Sequence, residues 1–128
     1  RETDIYGSTT LLEIERLSID KSKELSLDLS FFQSNSESEI IELIQKVQTD
    51  YDGLIINPAA FTHTSIALLD ALKAINKPKI EIHLSNIYNR EDYRKNSLTS
   101  NAVDGLICGF GALSYILAIE AINSLLVR

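Results

Sequence analysis

His63 and His83 are the only two imidazoles in the chain, and imidazole is the side chain whose unperturbed proton affinity lies nearest neutrality. His83 stands two residues from Glu81 in Lys79-Ile80-Glu81-Ile82-His83-Leu84, so both side chains fall on one face of an extended strand. A carboxylate beside an imidazole orients a general acid or base, and it equally satisfies a buried structural histidine. His63, in Phe61-Thr62-His63-Thr64-Ser65, follows Asn57 closely and suits either a ligand contact or a plain helix-start position. Tyr6 could act as a base only if its phenol were made more acidic, and Arg1 is the nearby cation that could do so. Arg90 and Arg94 are one helical turn apart and could face a carboxylate together, although Glu91 and Asp92 beside them also fit a solvated charged face.

Other features carry less chemistry. Asp70 sits mid-helix between Leu69 and Ala71, where a carboxylate faces solvent or a subunit contact. Cys108 ends an apolar run and reads as a small buried hydrophobe. No dinucleotide fingerprint, phosphate loop or nucleophile elbow occurs, and Gly109-Phe110-Gly111 is too short and too late to serve as one. With one cysteine and two histidines there is no zinc-ligand spacing and no intrachain disulfide. The residues describe a metal-free pocket with two histidines, a tyrosine, two or three arginines and an asparagine.

Apolar periodicity sets the elements that must position these groups. Thr10-x-x-Glu13 is a capping-box pattern opening a helix over about 9–24, and Ser36-x-x-Glu39 repeats it before a helix to about Thr49. Leu25, Leu27, Leu29 and Phe31 alternate with polar residues and predict a strand. Gly53 to Asn57 is a continuous apolar run, as a sheet covered on both faces requires. A helix is expected over about 62–76 with Ile66, Leu69, Leu72 and Ile75 inward, stopped by Lys77-Pro78. Strands at Lys79–Leu84 and Val103–Cys108 follow, separated by a polar segment from Ser85 to Asn101, and a last helix ends near Val127. This alternation predicts an α/β doubly wound parallel sheet, whose ligands bind beyond the carboxyl ends of the strands. Asn57, His83, Ser85 and the Gly109-Phe110-Gly111 turn all fall at such ends.

Composition narrows the partners. The 128 residues are 45% hydrophobic, fitting one domain at about 100–200 residues per domain. Eighteen acids against twelve bases give a formal charge of −6 and a pI near 4.8, which argues against nucleic acid. No apolar run approaches the ~20 residues of a membrane span, and no signal-peptide pattern opens the chain. The expectation is a cytoplasmic protein with a small-molecule partner, no nucleic acid and no membrane.

Several ordered motifs resemble the type II 3-dehydroquinate dehydratases across essentially the whole chain. They are Asn57-Pro58-Ala59-Ala60-Phe61-Thr62-His63-Thr64-Ser65, Glu81-Ile82-His83-Leu84-Ser85-Asn86 and Arg90-Glu91-Asp92-Tyr93-Arg94. Arg1-Glu2-x-x-x-Tyr6-Gly7, Phe31-Phe32-Gln33-Ser34-Asn35 and Gly109-Phe110-Gly111-x-x-x-Tyr115 also fit. The resemblance implies a flavodoxin-like fold, trimers assembled into a dodecamer, and anti elimination of water from 3-dehydroquinate through an enolate to give 3-dehydroshikimate, in the shikimate pathway of aromatic amino-acid biosynthesis, without metal or cofactor. It further implies Tyr6 as base, Arg1 as its activating cation and His83 as general acid, with Glu81 orienting it. Asn57 would hold a water at the enolate oxygen, His63 and Arg94 would bind substrate, and Leu84-Ser85 would take its carboxylate. Asp70 matches a residue that reaches a neighbouring subunit's site, and residues 1–8 match a lid.

Two departures qualify the match. The family begins with a strand and an Asn-rich turn ahead of the lid; with no Met in the chain, the expectation is that the first strand is missing from this 1–128 single domain, through a break within the lid. Ala59 stands where the family usually has Gly, which is tolerable provided its φ is negative. A rival from another class is the same fold kept as a catalytically inactive binding or assembly module. The presence of Arg1, Tyr6 and His83 weighs against it. A phosphate-responsive receiver ranks lower, for want of an acidic pocket after a first strand.

Overall fold

The computed structural model describes residues 9–89 and 97–126. Helix α1 (Leu11–Glu24) opens with the expected reciprocal box. The Glu13 N–H donates to Thr10 Oγ1 at 3.2 Å, and the Thr10 N–H donates to Glu13 Oε1 at 3.1 Å. It ends because Ser26 turns left-handed at φ 59°. The Ser26 and Leu27 amides then reach back to the Lys23 and Ser22 carbonyls at 3.1 and 2.8 Å, a Schellman closure. Helix α2 (Glu37–Asp50) has only half of its predicted box. Ser36 Oγ accepts from the Glu39 amide at 3.3 Å, but the Ser36 amide donates to Ser34 Oγ at 3.0 Å instead of to Glu39.

The strand expected from Leu25 to Phe31 does not form. Its alternation of half-buried and exposed residues is present, yet among the described residues no strand lies alongside to complete a ladder, and a pattern without partner amides remains loop. Phe31 is held by its ring instead, 6.0 Å from that of Tyr115 and tilted by 35°.

Strands β1 (Leu54–Ile56), β2 (Lys79–His83) and β3 (Gly105–Cys108) form a parallel sheet in the order β1-β2-β3. His83 pairs with Cys108, so β2 and β3 end level, while β1 ends at Ile56 opposite Glu81, two residues earlier. Helix α3 (Ile66–Lys73) and α2 cover one face, closing a core of Ile44, Val47, Ile56, Leu68, Leu72 and Ile75. Helix α4 (Leu113–Leu126) covers the other, with Ile80 and Ile82 packed on Ala118 and Ile122, and α1 lies against α4. Gly53 permits this approach, since a Cβ there would come within 2.9 Å of Ile122 Cδ1. β3 is less covered than expected, leaving Leu106 exposed.

The single helix expected over 62–76 is two pieces. A 3-10 turn at Ala59–His63 precedes α3, which starts only after Ser65. The break falls there because Ser65 Oγ accepts the Leu68 amide at 2.9 Å, a stronger start signal than Thr62. The inward face is correspondingly Leu68, Ala71, Leu72 and Ile75, with Ile66 65% exposed rather than buried. These elements show the expected α/β flavodoxin-like arrangement, and no helix among the described residues is long and apolar enough to cross a membrane.

Candidate active site at the carboxyl edge of the sheet

The carboxyl ends of β1 and β2, the first stopping two residues short of the second, put Asn57, His83, Leu84 and Ser85 at one edge of the sheet. β2 is buried along nearly all its length, with Ile80 and Ile82 directed to α4 and Glu81 and His83 to the opposite face. His83 Nε2 and Glu81 Oε2 are 2.6 Å apart, with the residues 5% and 0% exposed. A fully buried carboxylate needs partners, and among the described residues this one has three. Thr99 Oγ1 donates to Glu81 Oε1 at 2.6 Å, and Ser97 Oγ reaches Oε2 at 3.4 Å.

Asn57 directly follows β1. Its Oδ1 accepts the Ala59 amide at 3.1 Å, which leaves the side-chain NH2 as its remaining donor. Ala59 is left-handed, at φ 51°. The condition under which alanine would be tolerated here, a negative φ, is therefore not met: Asn57 pulls the Ala59 amide back into a tight turn that glycine would enter without strain. The 3-10 turn that follows carries half-buried His63, and its Thr62 carbonyl accepts the Leu98 amide at 2.8 Å. This bond ties the His63 turn to the segment that supplies Ser97 and Thr99.

Leu84 and Ser85 leave the sheet as an exposed loop, stitched down from behind by the turn after β3. The Gly109 and Gly111 amides donate to the His83 and Leu84 carbonyls at 3.1 and 2.8 Å. Both glycines have positive φ, 95° and 56°. At Gly109 a Cβ would also stand 3.4 Å from the Asn86 Cβ. Ser114 Oγ adds a bond to the His83 carbonyl at 3.4 Å. Burial pushes the Cys108 thiol above its ordinary range; the Glu81 charge adds to this, and a hydrogen bond from the Ile87 backbone opposes it. Tyr88 is raised likewise, by burial first and then by Cys108 and Glu81.

Asp70 is not gathered with the others. It lies exposed on the outer face of α3, four residues from exposed Ile66. Arg1, Tyr6, Arg90 and Arg94 lie outside the described residues. Thr99 and Ser97 escaped the sequence reading, because their bonds to Glu81 span 18 and 16 residues and no local pattern marks them. Among the described residues no group of three or more His, Cys, Asp or Glu is placed to hold a metal ion.

Comparison with known proteins gives a consistent result. The family model described as dehydroquinase class II matches residues 1–123. The chain is 52% identical over 128 residues to a 3-dehydroquinate dehydratase of Prochlorococcus marinus (strain NATL1A), covering all of this chain and 88% of that one. A 3-dehydroquinate dehydratase of Clostridium botulinum (strain 657 / Type Ba4) is 51% identical, with 100% and 87% covered. Among solved structures, the type II dehydroquinase from Propionibacterium acnes superposes with a TM-score of 0.89 at 39% identity, covering 97% of this chain and 86% of that one.

Proposed function

The chain belongs to the class II dehydroquinases, its reaction is the dehydration of 3-dehydroquinate in the shikimate pathway, and we propose that this reaction proceeds by anti elimination through an enolate. The observation that carries the proposal is the buried Glu81–His83 pair at the edge shared with Asn57. With Nε2 engaged by Glu81, Nδ1 is the nitrogen left to serve the substrate, and the carboxylate supports the imidazolium that a general acid must be.

Tyr6 then removes the proton beside the ketone, with Arg1 keeping that phenol acidic. Electrons shift to the ketone oxygen, where a water held by the Asn57 amide meets the developing charge. When the enolate collapses, the C–O bond breaks and His83 protonates the departing hydroxyl, giving water and the conjugated enone 3-dehydroshikimate. No atom changes oxidation state by way of an external redox partner. A base, an acid and a polar contact complete the sequence, so the proposed mechanism is independent of metal and cofactor.

His63 and Arg94 bind substrate in this reading, and Leu84-Ser85 receives its carboxylate in the loop pinned by Gly109 and Gly111. Residues 1–8 serve as the lid of a single domain. Asp70 reaches a neighbouring subunit, which suits a carboxylate sharing the outer face of α3 with exposed Ile66. The assembly is a dodecamer of trimers in the cytoplasm, as the family resemblance implies.

The test is absorbance of the enone on adding 3-dehydroquinate. Turnover is expected for the unmodified protein and a large loss, about 10²–10⁴-fold, for Tyr6→Phe and His83→Ala. A silent unmodified protein would favour the binding-module reading, and undiminished turnover in either variant would remove that residue from its role.

A further inference from the structure

Glu81 is the least exposed ionisable group described, and its hold on His83 is only as good as the orientation of its carboxylate. The last torsion of a glutamate is broad and nearly two-fold, so one contact at Oε2 leaves the plane free to rock. A second anchor at Oε1 removes that freedom. Thr99 supplies it at 2.6 Å, from a position with no solvent exposure. Ser97 is a poorer candidate: its hydroxyl stands 3.4 Å from Oε2 and also accepts the Ser100 amide at 3.1 Å.

The backbone gives Thr99 a fixed place. It begins a 3-10 turn at Thr99–Ala102. Immediately before it, the Leu98 amide is bonded to Thr62 in the turn that carries His63. From these observations we infer that Thr99 is a positioning residue for the dehydration, holding the Glu81 carboxylate so that His83 keeps its proton-donating face towards the substrate. The inference rests on the proposed role of His83 as general acid.

The hydroxyl is the active part of this device. Valine fills nearly the same volume without a donor, leaving Glu81 Oε1 buried and unmatched. Serine keeps the donor and loses a methyl group. Cysteine keeps the size but offers only a weak S–H donor. A role in packing alone would rank valine and cysteine above serine. A role through the hydrogen bond ranks serine first.

The experiment measures kcat and KM in the intact protein for Thr99→Val, Thr99→Ser and Thr99→Cys, with thermal melts to establish folding and His83→Ala in parallel. Thr99→Val is expected to lower kcat by about tenfold to a hundredfold, because misplacing a catalytic group by about 1 Å can cost a factor of this order. KM should stay within about twofold, since Thr99 touches no substrate, and Thr99→Ser should restore most of kcat. Should the valine variant fail to fold, the cysteine variant takes its place, with a smaller fall in kcat at constant KM.

Undiminished kcat in a folded Thr99→Val would overturn the inference. So would an equal fall in Thr99→Ser, or undiminished kcat in Thr99→Cys if that variant must stand in. If His83→Ala keeps full turnover, the mechanism beneath the inference fails instead. If His83→Ala is inactive while Thr99→Val is normal, only the role of Thr99 falls.

Discussion

Ala59 carries a Cβ into left-handed backbone at φ 51°, which costs an L-residue roughly 1–2 kcal/mol. Replacing it by glycine relieves that strain but frees the unfolded chain by about 0.4–1 kcal/mol. The strain term is the larger, so Ala59→Gly should raise the unfolding free energy by about 0.5 kcal/mol, read as a higher denaturant midpoint at unchanged slope. A lower midpoint would mean the methyl group makes contacts that outweigh the strain. Cys108 offers a pH-dependent counterpart. Its raised thiol keeps its proton after an unfolded chain has lost its own. Between the ordinary thiol range and the raised value the unfolded state therefore binds fewer protons, and this contribution to stability falls as pH rises. Alkylation of Cys108 in the native protein should be slow at neutral pH and accelerate only above the ordinary thiol range. Labelling at the rate of a free thiol near neutrality would contradict the burial assigned to it.

Local signals were legible where one residue could close its own hydrogen bond. Thr10 and Glu13 announced α1, because a cap needs no distant partner, and the apolar run Gly53 to Asn57 announced β1, which finds its partner in β2. The run from Leu25 to Phe31 was misleading for the converse reason: its alternation is real, but a strand exists only with a neighbour. The helix expected over 62–76 failed because Thr62 and Ser65 are both acceptable starts in sequence. Only the fold shows that Ser65 also donates to Glu37 Oε2, at 2.5 Å, linking the beginnings of α2 and α3. Ser65→Ala removes the cap and that link together. It should destabilise the protein by about 1–2 kcal/mol, at the upper end for a cap, measurable by chemical denaturation. A change below a few tenths would show that water replaces the serine at no expense.

At the scale of the whole molecule, the candidate site is assembled from strand ends that are far apart in sequence yet share one edge of the sheet. The sequence allowed Asn57, His83 and Ser85 to be placed at those ends, since the α/β pattern alone determines where strands stop. It gave no hint of the Glu81–Thr99 bond, which depends on how the segment after β2 folds back. Asp70, exposed on the outer face of α3, belongs to this scale through the proposal that it reaches a neighbouring subunit. If the site is shared, subunits lacking Tyr6 mixed with subunits lacking Asp70 should recover part of the activity that each lacks alone. No recovery, with subunit exchange verified, would confine each site to one chain.

The turn at Gly109 and Gly111 has one further effect. Its amides are spent on the carbonyls of His83 and Leu84, so the surface turn from β3 into α4 is stitched to the end of buried β2 and the residue after it. In deuterated solvent these two glycine amides should exchange on the slow timescale of the sheet, although Gly109 itself is exposed. Rapid exchange at both would show the loop opening independently of β2. Slow exchange would mean that the Leu84-Ser85 loop yields only when the sheet itself does.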